Sequence, residues 1–220
     1  RRLLPRESTG RDLRSGKRRA RVTRTCGAAP RLPSRMPDWL DEMRRDLDAE
    51  LGRAPKVATL ATIAGPATAP TVEARSVAIR ALGDDGSLTF TSDGRSGKNA
   101  ELAGNASAAL VFWLPQRKRQ YRLTGTAAVL QSEDPARQRQ WRAASDAGRA
   151  MFLWPPPGQL RDDAAPVPSA VSADAPVPDA FTVVVMTPAR VERLDLSQTP
   201  HLRERWSTSA GGWARQVVNP

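Results

Sequence analysis

Apolar side chains recur at 3.6-residue spacing near the start of the folded part of the chain. Trp39, Leu40, Met43, Leu47 and Leu51 share one face, and acidic residues hold the exposed positions, which predicts a helix over residues 37–51. The period then changes to two. Residues 56–64, "KVATLATIA", alternate apolar and small polar side chains and predict a strand. A Gly/Pro turn at 65–70 leads into a second strand at 72–82. The run Gly83-Asp-Asp-Gly86 marks a hairpin, and a third strand comes next at 87–92. Residues 96–103 predict a short helix stopped by Gly104-Asn105.

A continuous apolar run at 108–114 reads as a strand, and after the "PQRKRQ" turn another strand covers 121–130. Gly125 lies inside it, which signals a bend or a close approach by another group. Asp134-Pro135 supplies an N-cap and first helical residue for a helix over 134–145. Pro, Ala and Asp dominate the stretch beyond that helix, and residues 157–179 are expected to form a mobile, irregular loop. Two strands, 180–186 and 190–196, are predicted to turn at Thr187-Pro188, with short elements near 202–206 and 213–218. The order gives an α+β class: an antiparallel, closed or partly closed barrel with flanking helices.

The formal charge of +11 suggests nucleic acid at first. Its distribution argues otherwise. Residues 1–35 hold 11 Arg and 1 Lys against Glu7 and Asp12, which leaves 22 basic and 21 acidic side chains for the other 185 residues. The body from residue 36 onward is therefore almost neutral. The leader lacks the apolar content for a core. It reads as a disordered basic arm, as an Arg-rich transit peptide, or as sequence upstream of a true start at Met36. Cys26 is the only cysteine, so neither an internal disulfide nor a Cys-based zinc site can form. The longest apolar runs fall far short of the ~20 residues of a membrane span. No membrane role and a cytoplasmic location are expected, or an organellar one if the leader is a transit peptide.

Most catalytic sets are missing. His201 is the single histidine, which excludes a His-based metal site, and neither a P-loop nor a dinucleotide fingerprint occurs. Cations and hydroxyls instead concentrate along two strands and the turn after them. In a strand Arg75, Val77 and Ile79 point one way, and Ser76, Ala78 and Arg80 the other, unless a bulge re-aims one. Thr91, Ser92, Arg95, Ser96 and Lys98 gather where a strand gives way to a helix. Helix N-terminal amides, hydroxyls and cations together suit a phosphate. A third basic patch, "RKRQYRLTG" (117–125), reads as a nucleic-acid surface or as a plain hairpin turn entering a strand.

The order of segments resembles the pyridoxamine 5'-phosphate oxidase-like family of FMN-binding split barrels. The resemblance rests on "ARSVAIR" (74–80), "LTFTSDGRSGKNAEL" (88–102), "ALVFWL" (109–114), "RQYRLTGTAAVL" (119–130), "FLWPPPG" (152–158), "VERLDLSQTPHLRERW" (191–206) and the closing stretch 213–220. It covers roughly residues 36–220 as one domain and implies FMN as cofactor. Arg75, Ser76, Val77, Ala78 and Arg80 would run along the flavin, with Arg80 also near the substrate. Thr91 and Ser92 would form a hydroxyl pair, and Ser96 and Lys98 would grip the phosphate with Arg95. Gln120 would reach the flavin from a partner subunit in a homodimer. Arg203 would contact the flavin, and His201 the substrate. Three places depart from the family: the phosphate turn, commonly Ser-Arg-Lys, reads Ser96-Gly97-Lys98 with Arg95 placed earlier, Thr199 replaces a substrate-holding arginine, and Leu194 replaces a tryptophan beside the flavin.

The implied activity is an FMN-dependent oxidoreductase with a small, phosphorylated substrate such as pyridoxamine or pyridoxine 5'-phosphate. The alternative is an FMN-binding carrier, sensor or reductase without that turnover. A nucleic-acid-binding protein is the remote third reading, set against by the neutral body.

Overall fold

The structure is a computed structural model that describes residues 38–220 apart from Gly211. The basic leader, residues 1–35, and Pro37 at the expected start of the first helix lie outside the described residues. Four helices and eight strands run in the order α1 (Asp38–Leu51), β1 (Lys56–Ala64), β2 (Thr71–Leu82), β3 (Leu88–Asp93), α2 (Gly97–Gly104), β4 (Ser107–Leu114), β5 (Arg119–Val129), α3 (Pro135–Ala143), α4 (Asp146–Ala150), β6 (Phe181–Asp195), β7 (Leu202–Ser209) and β8 (Gly212–Val218). A single 3-10 turn, Met151–Leu153, comes directly after α4.

All strand pairs are antiparallel, in the order β3-β2-β1-β4-β5-β6-β7-β8, and a further β3–β6 pairing closes the first six into a barrel. The period of two in the sequence becomes an inside and an outside. Leu60, Leu88, Phe90, Leu110, Phe112, Tyr121, Leu123, Val184 and Met186 fill the interior. Trp39, Leu40, Met43 and Leu47 of α1 join the same cluster. Each such side chain contributes roughly 1.5–3 kcal/mol on burial.

α1 is also held by charge. Asp46 is buried and accepts from the Tyr121 hydroxyl at 2.5 Å and from Arg119 at 2.8 Å, while Arg119 bonds Asp195 at 2.8 Å. Arg117 reaches Asp46 at 3.2 Å. Three of the four cations in the basic patch at 117–125, Arg117, Arg119 and Arg122, make internal ion pairs, Arg122 with a Glu192 that it shares. Tyr121 is fully buried, so it offers no face for base stacking. The hairpin reading of this patch holds.

One element differs from the sequence expectation. The two strands foreseen at 180–186 and 190–196 are one 15-residue strand, β6, with no turn at Thr187-Pro188. Proline removes a ladder donor and normally marks an edge or a bulge. Pro188 has both reliefs. β6 pairs with β3 up to Met186 and with β7 only from Arg190, so Pro188 falls where that edge changes partner. The register against β5 also slips there, Gly125 facing Pro188 while Thr124 faces Arg190. Gly125 is what permits the slip: a Cβ there would sit 2.1 Å from the Thr187 carbonyl oxygen. The close approach expected of this glycine is thus made by β6.

Residues 157–179 hold no helix or strand. They are nonetheless tied to the body. Trp141 Nε1 donates to the Ala175 carbonyl at 3.1 Å, Arg149 Nε to that of Val171 at 2.8 Å and Trp154 Nε1 to that of Pro168 at 2.9 Å. Trp141, Phe181 and Val183 form a second apolar cluster, against which Phe152, Val171, Ala175 and Val177 pack. Among the described residues no helix is long and apolar enough to cross a membrane.

Candidate functional site

β3 ends in Ser92-Asp93, and α2 begins at Gly97, so the turn between them presents the first amides of a helix. Ser96 is the N-cap, yet its side chain makes no cap bond to the helix; its hydroxyl donates to the Asp93 carbonyl at 2.7 Å instead. Lys98 Nζ donates to Ser96 Oγ at 2.8 Å and to Ser92 Oγ at 3.2 Å. Asn99 is buried and donates to the same two hydroxyls at 3.1 and 2.9 Å. A hydroxyl has two acceptor positions and one proton. Lys98 and Asn99 fill the acceptor positions of Ser92, whose proton has two long contacts, the Asp93 carbonyl and Ser96 Oγ, both at 3.4 Å. The third Lys98 proton and the uncapped helix amides add to it. The cage is therefore short of acceptors, as an anion site should be.

Lys98 is half-buried, and among the described residues no carboxylate lies within 4 Å of its ammonium group. Burial, and then the charge of Arg75, pull its pKa below the usual 10.5; Asp93 and Glu101 offset this only in part. Such a cation gains from an anion more than a surface lysine does. Its donor set fits the phosphate of a flavin mononucleotide.

Arg95 stands differently from the expectation. Its guanidinium forks onto Asp93, Nε at 2.9 Å and Nη2 at 2.6 Å. Burial pushes the Asp93 carboxyl up, but the hydrogen bonds and charge of Arg95 outweigh it and hold it below its ordinary range. Arg95 and Asp93 thus add almost no net charge to the turn. Arg75 is likewise committed, to Glu101 at 2.7 Å and to the Thr62 hydroxyl.

On β2, Ser76 is exposed, Ala78 half-buried and Val77 in the core, so Val77 can offer a ligand only its backbone. The β2–β3 register slips between Ile79 and Ala81, which makes Arg80 a bulged residue. Arg80 is exposed and lines a cleft of about 350 Å³ between α1 and the β2–β3 ribbon. Thr91 and Ser92, adjacent on β3, face opposite sides: Ser92 is buried, Thr91 partly exposed.

Gln120, Leu194 and Arg203 form one cross-strand row, Gln120 opposite Leu194 and Leu194 opposite Arg203. Trp113 extends it across β4. Residues paired in this way share a face. The two expected flavin-contacting residues from distant segments are thus brought together, with Leu194 between them. His201 is exposed just before β7, its Nδ1 2.9 Å from the Gln198 carbonyl oxygen. A donating Nδ1–H leaves Nε2 as an acceptor.

The phosphate cage and this row are not brought together within one chain. Ser92 pairs with Thr182 at one end of β6, and Arg203 with Leu194 at the other. Thr182 and Leu194 are twelve steps apart along β6, a contour of at most about 40 Å at ~3.3 Å per residue.

Asn99, Glu101 and Asp93 belong to this site and were not foreseen. Asn99 had a signal: it stands three residues after the capping Ser96, on the face of α2 that meets the turn. Nothing in the sequence marks Glu101 as the partner of Arg75.

A closed antiparallel barrel with flanking helices is the architecture of an FMN-binding split barrel. Residues 36–131 match the family model described as "Pyridoxamine 5'-phosphate oxidase, FMN-binding domain". A pyridoxine/pyridoxamine 5'-phosphate oxidase of Salinibacter ruber is 30% identical, over 83% of this chain and 86% of the relative. The crystal structure of a pyridoxamine 5'-phosphate oxidase-related, FMN-binding protein from Nostoc punctiforme superposes with a TM-score of 0.76 at 25% identity, covering 84% of this chain and all of that one. PhzG of Burkholderia lata shares the fold, with a TM-score of 0.67 at 19% identity over 83% of this chain and 91% of that one. The chain belongs to the pyridoxamine 5'-phosphate oxidase-like family of FMN-binding proteins, and FMN is its cofactor.

Proposed function

We propose that the protein is a homodimeric FMN-dependent oxidoreductase, with pyridoxamine or pyridoxine 5'-phosphate as the substrate class and a flavin site at each end of the subunit interface. The observation that carries the flavin site is the half-buried Lys98 without a carboxylate, held by Ser92 and Ser96 at an uncapped helix start. The separation along β6 supports the dimer. One flavin nucleotide cannot reach from the cage to Arg203 along a single chain, whereas a second copy can supply Gln120 and Arg203 from its own sheet.

The outer sheet face suits such a contact. Val57 and Trp113 are each about half exposed there, at 50% and 49%, and Val72 is 74% exposed. When bound, the flavin supplies two-electron hydride chemistry. The chain's own residues would position and exclude water. Lys98, Ser92 and Ser96 hold the phosphate, the backbone of residues 76–78 lines the ring, and Arg80 and the His201 Nε2 acceptor face the substrate.

A second reading keeps FMN but drops this turnover, giving a carrier, sensor or reductase. Leu194 favours it, since an aliphatic side chain sits between Gln120 and Arg203 where a flavin-stacking ring is expected. Thr199 favours it as well. Anaerobic titration of the yellow protein with pyridoxamine 5'-phosphate separates the two. Bleaching of the flavin absorbance supports oxidase turnover; a bound flavin that stays oxidised supports the second reading.

A further inference from the structure

On the outer face of β5, β6 and β7, four guanidinium groups share one carboxylate. Arg122, Glu192 and Arg205 stand opposite one another in a single row. Arg190 and Arg203 flank it, each two residues away on the same face. Glu192 is buried. It is bonded by Arg122, by Arg203 at 2.6 Å and by Arg205 at 3.0 Å, with Arg190 at 3.6 Å. Burial pushes this carboxyl up, but the hydrogen bonds of Arg203, Arg122 and Arg205 hold it at about 2, so it stays ionised.

One negative charge against four positive ones leaves three uncompensated. Among the described residues no second carboxylate lies within 4 Å of any of the four guanidiniums. Each guanidinium carries five N–H donors, and two carboxylate oxygens cannot occupy them all. The four side chains line a cleft of about 300 Å³ whose floor is Ala109, Leu110 and Val111. Residues two apart on a strand stand about 7 Å apart. The Arg122–Glu192–Arg205 row is therefore about 7 Å from the Gln120–Leu194–Arg203 row.

We propose that this cleft is a second anion site, separate from the Lys98 cage, which takes the phosphate or carboxylate group of the molecule that meets the flavin. Identifying that molecule as the flavin's reaction partner rests on the proposed function; the anion site itself does not. Glu192 acts as the hub that keeps the four guanidiniums converged. The bound oxyanion supplies the charge that the protein lacks there.

Calorimetric titration of the full chain, carrying Lys98→Ala to remove the first cage and free of flavin, tests it. Inorganic phosphate is the probe, with succinate run beside it. Arg190 and Arg205 are 51% and 35% exposed, so their truncation leaves the core intact. Phosphate or succinate should bind the Lys98→Ala protein, and adding Arg190→Ala and Arg205→Ala should weaken this at least tenfold. The tighter of the two probes names the oxyanion. The Arg190→Ala/Arg205→Ala pair alone should leave FMN affinity unchanged. No binding of either probe to the Lys98→Ala protein, or binding indifferent to the two arginines, overturns the site. Failure of the flavin reading would show separately, as a wild-type protein that takes up no FMN.

Discussion

Lys98 concentrates the chemistry of the site in one ammonium group. Its pKa lies below the usual lysine value in the free protein, and in the proposed site a bound phosphate raises it again. The sign comes from linkage: phosphate favours the protonated form, so FMN affinity is full below the depressed pKa and falls as pH rises through it. FMN dissociation constants measured across the alkaline range should rise at a pH below 10.5, the ordinary lysine value, and a Lys98→Met protein should lack that rise. Arg95 offers a second residue-scale test. Arg95→Ala leaves the Asp93 carboxylate bare beside the cage, and FMN should bind about tenfold more weakly, near 1.4 kcal/mol. Asp93→Asn added to Arg95→Ala should restore most of the loss, as read by fluorescence titration. If Arg95 holds the phosphate itself, the second change restores nothing.

At the scale of elements, the helices and strands arise from periodicity, and Gly125 with Pro188 shows where periodicity stops being informative. Local rules read Thr187-Pro188 as a turn because a proline breaks a ladder. They cannot see that β6 changes neighbours at that point, since β3, the partner it leaves, is far away in sequence. Gly125 carried the complementary signal, a close approach, without naming the partner. Gly125→Ala should destabilise the fold by about 3 kcal/mol, because the added Cβ meets backbone at 2.1 and 2.8 Å rather than a movable side chain. Denaturant unfolding measures it. The convergence of Ser92, Ser96 and Lys98 was legible for a similar local reason. Ser92, Ser96 and Lys98 lie within seven residues of one another, so their convergence needs only a strand ending where a helix begins. The pairing of Arg75 with Glu101 and of Arg95 with Asp93 was not legible, because a cation in a sequence does not show which carboxylate will claim it. The bulge that isolates Arg80 depends on the β2–β3 register, which is likewise set across strands.

At the scale of the whole molecule, the central feature is a site divided between the two ends of β6. In the proposed dimer the cage takes the phosphate, and the Gln120–Arg203 row of a second copy completes the flavin pocket. Trp113→Glu, placed on the exposed outer face, should give a monomer in sedimentation and weaken FMN together with dimerisation. A monomer that keeps full FMN affinity would mean the row takes no part in binding. The most direct measurement compares FMN with riboflavin on the wild-type and Lys98→Ala proteins by fluorescence titration. Lys98→Ala should raise the FMN dissociation constant roughly 10- to 150-fold, the worth of one charge-assisted hydrogen bond at about 1.5–3 kcal/mol, while riboflavin, which lacks the phosphate, should be unaffected. Equal losses for the two ligands, or none for FMN, would show that the turn after β3 does not hold the phosphate.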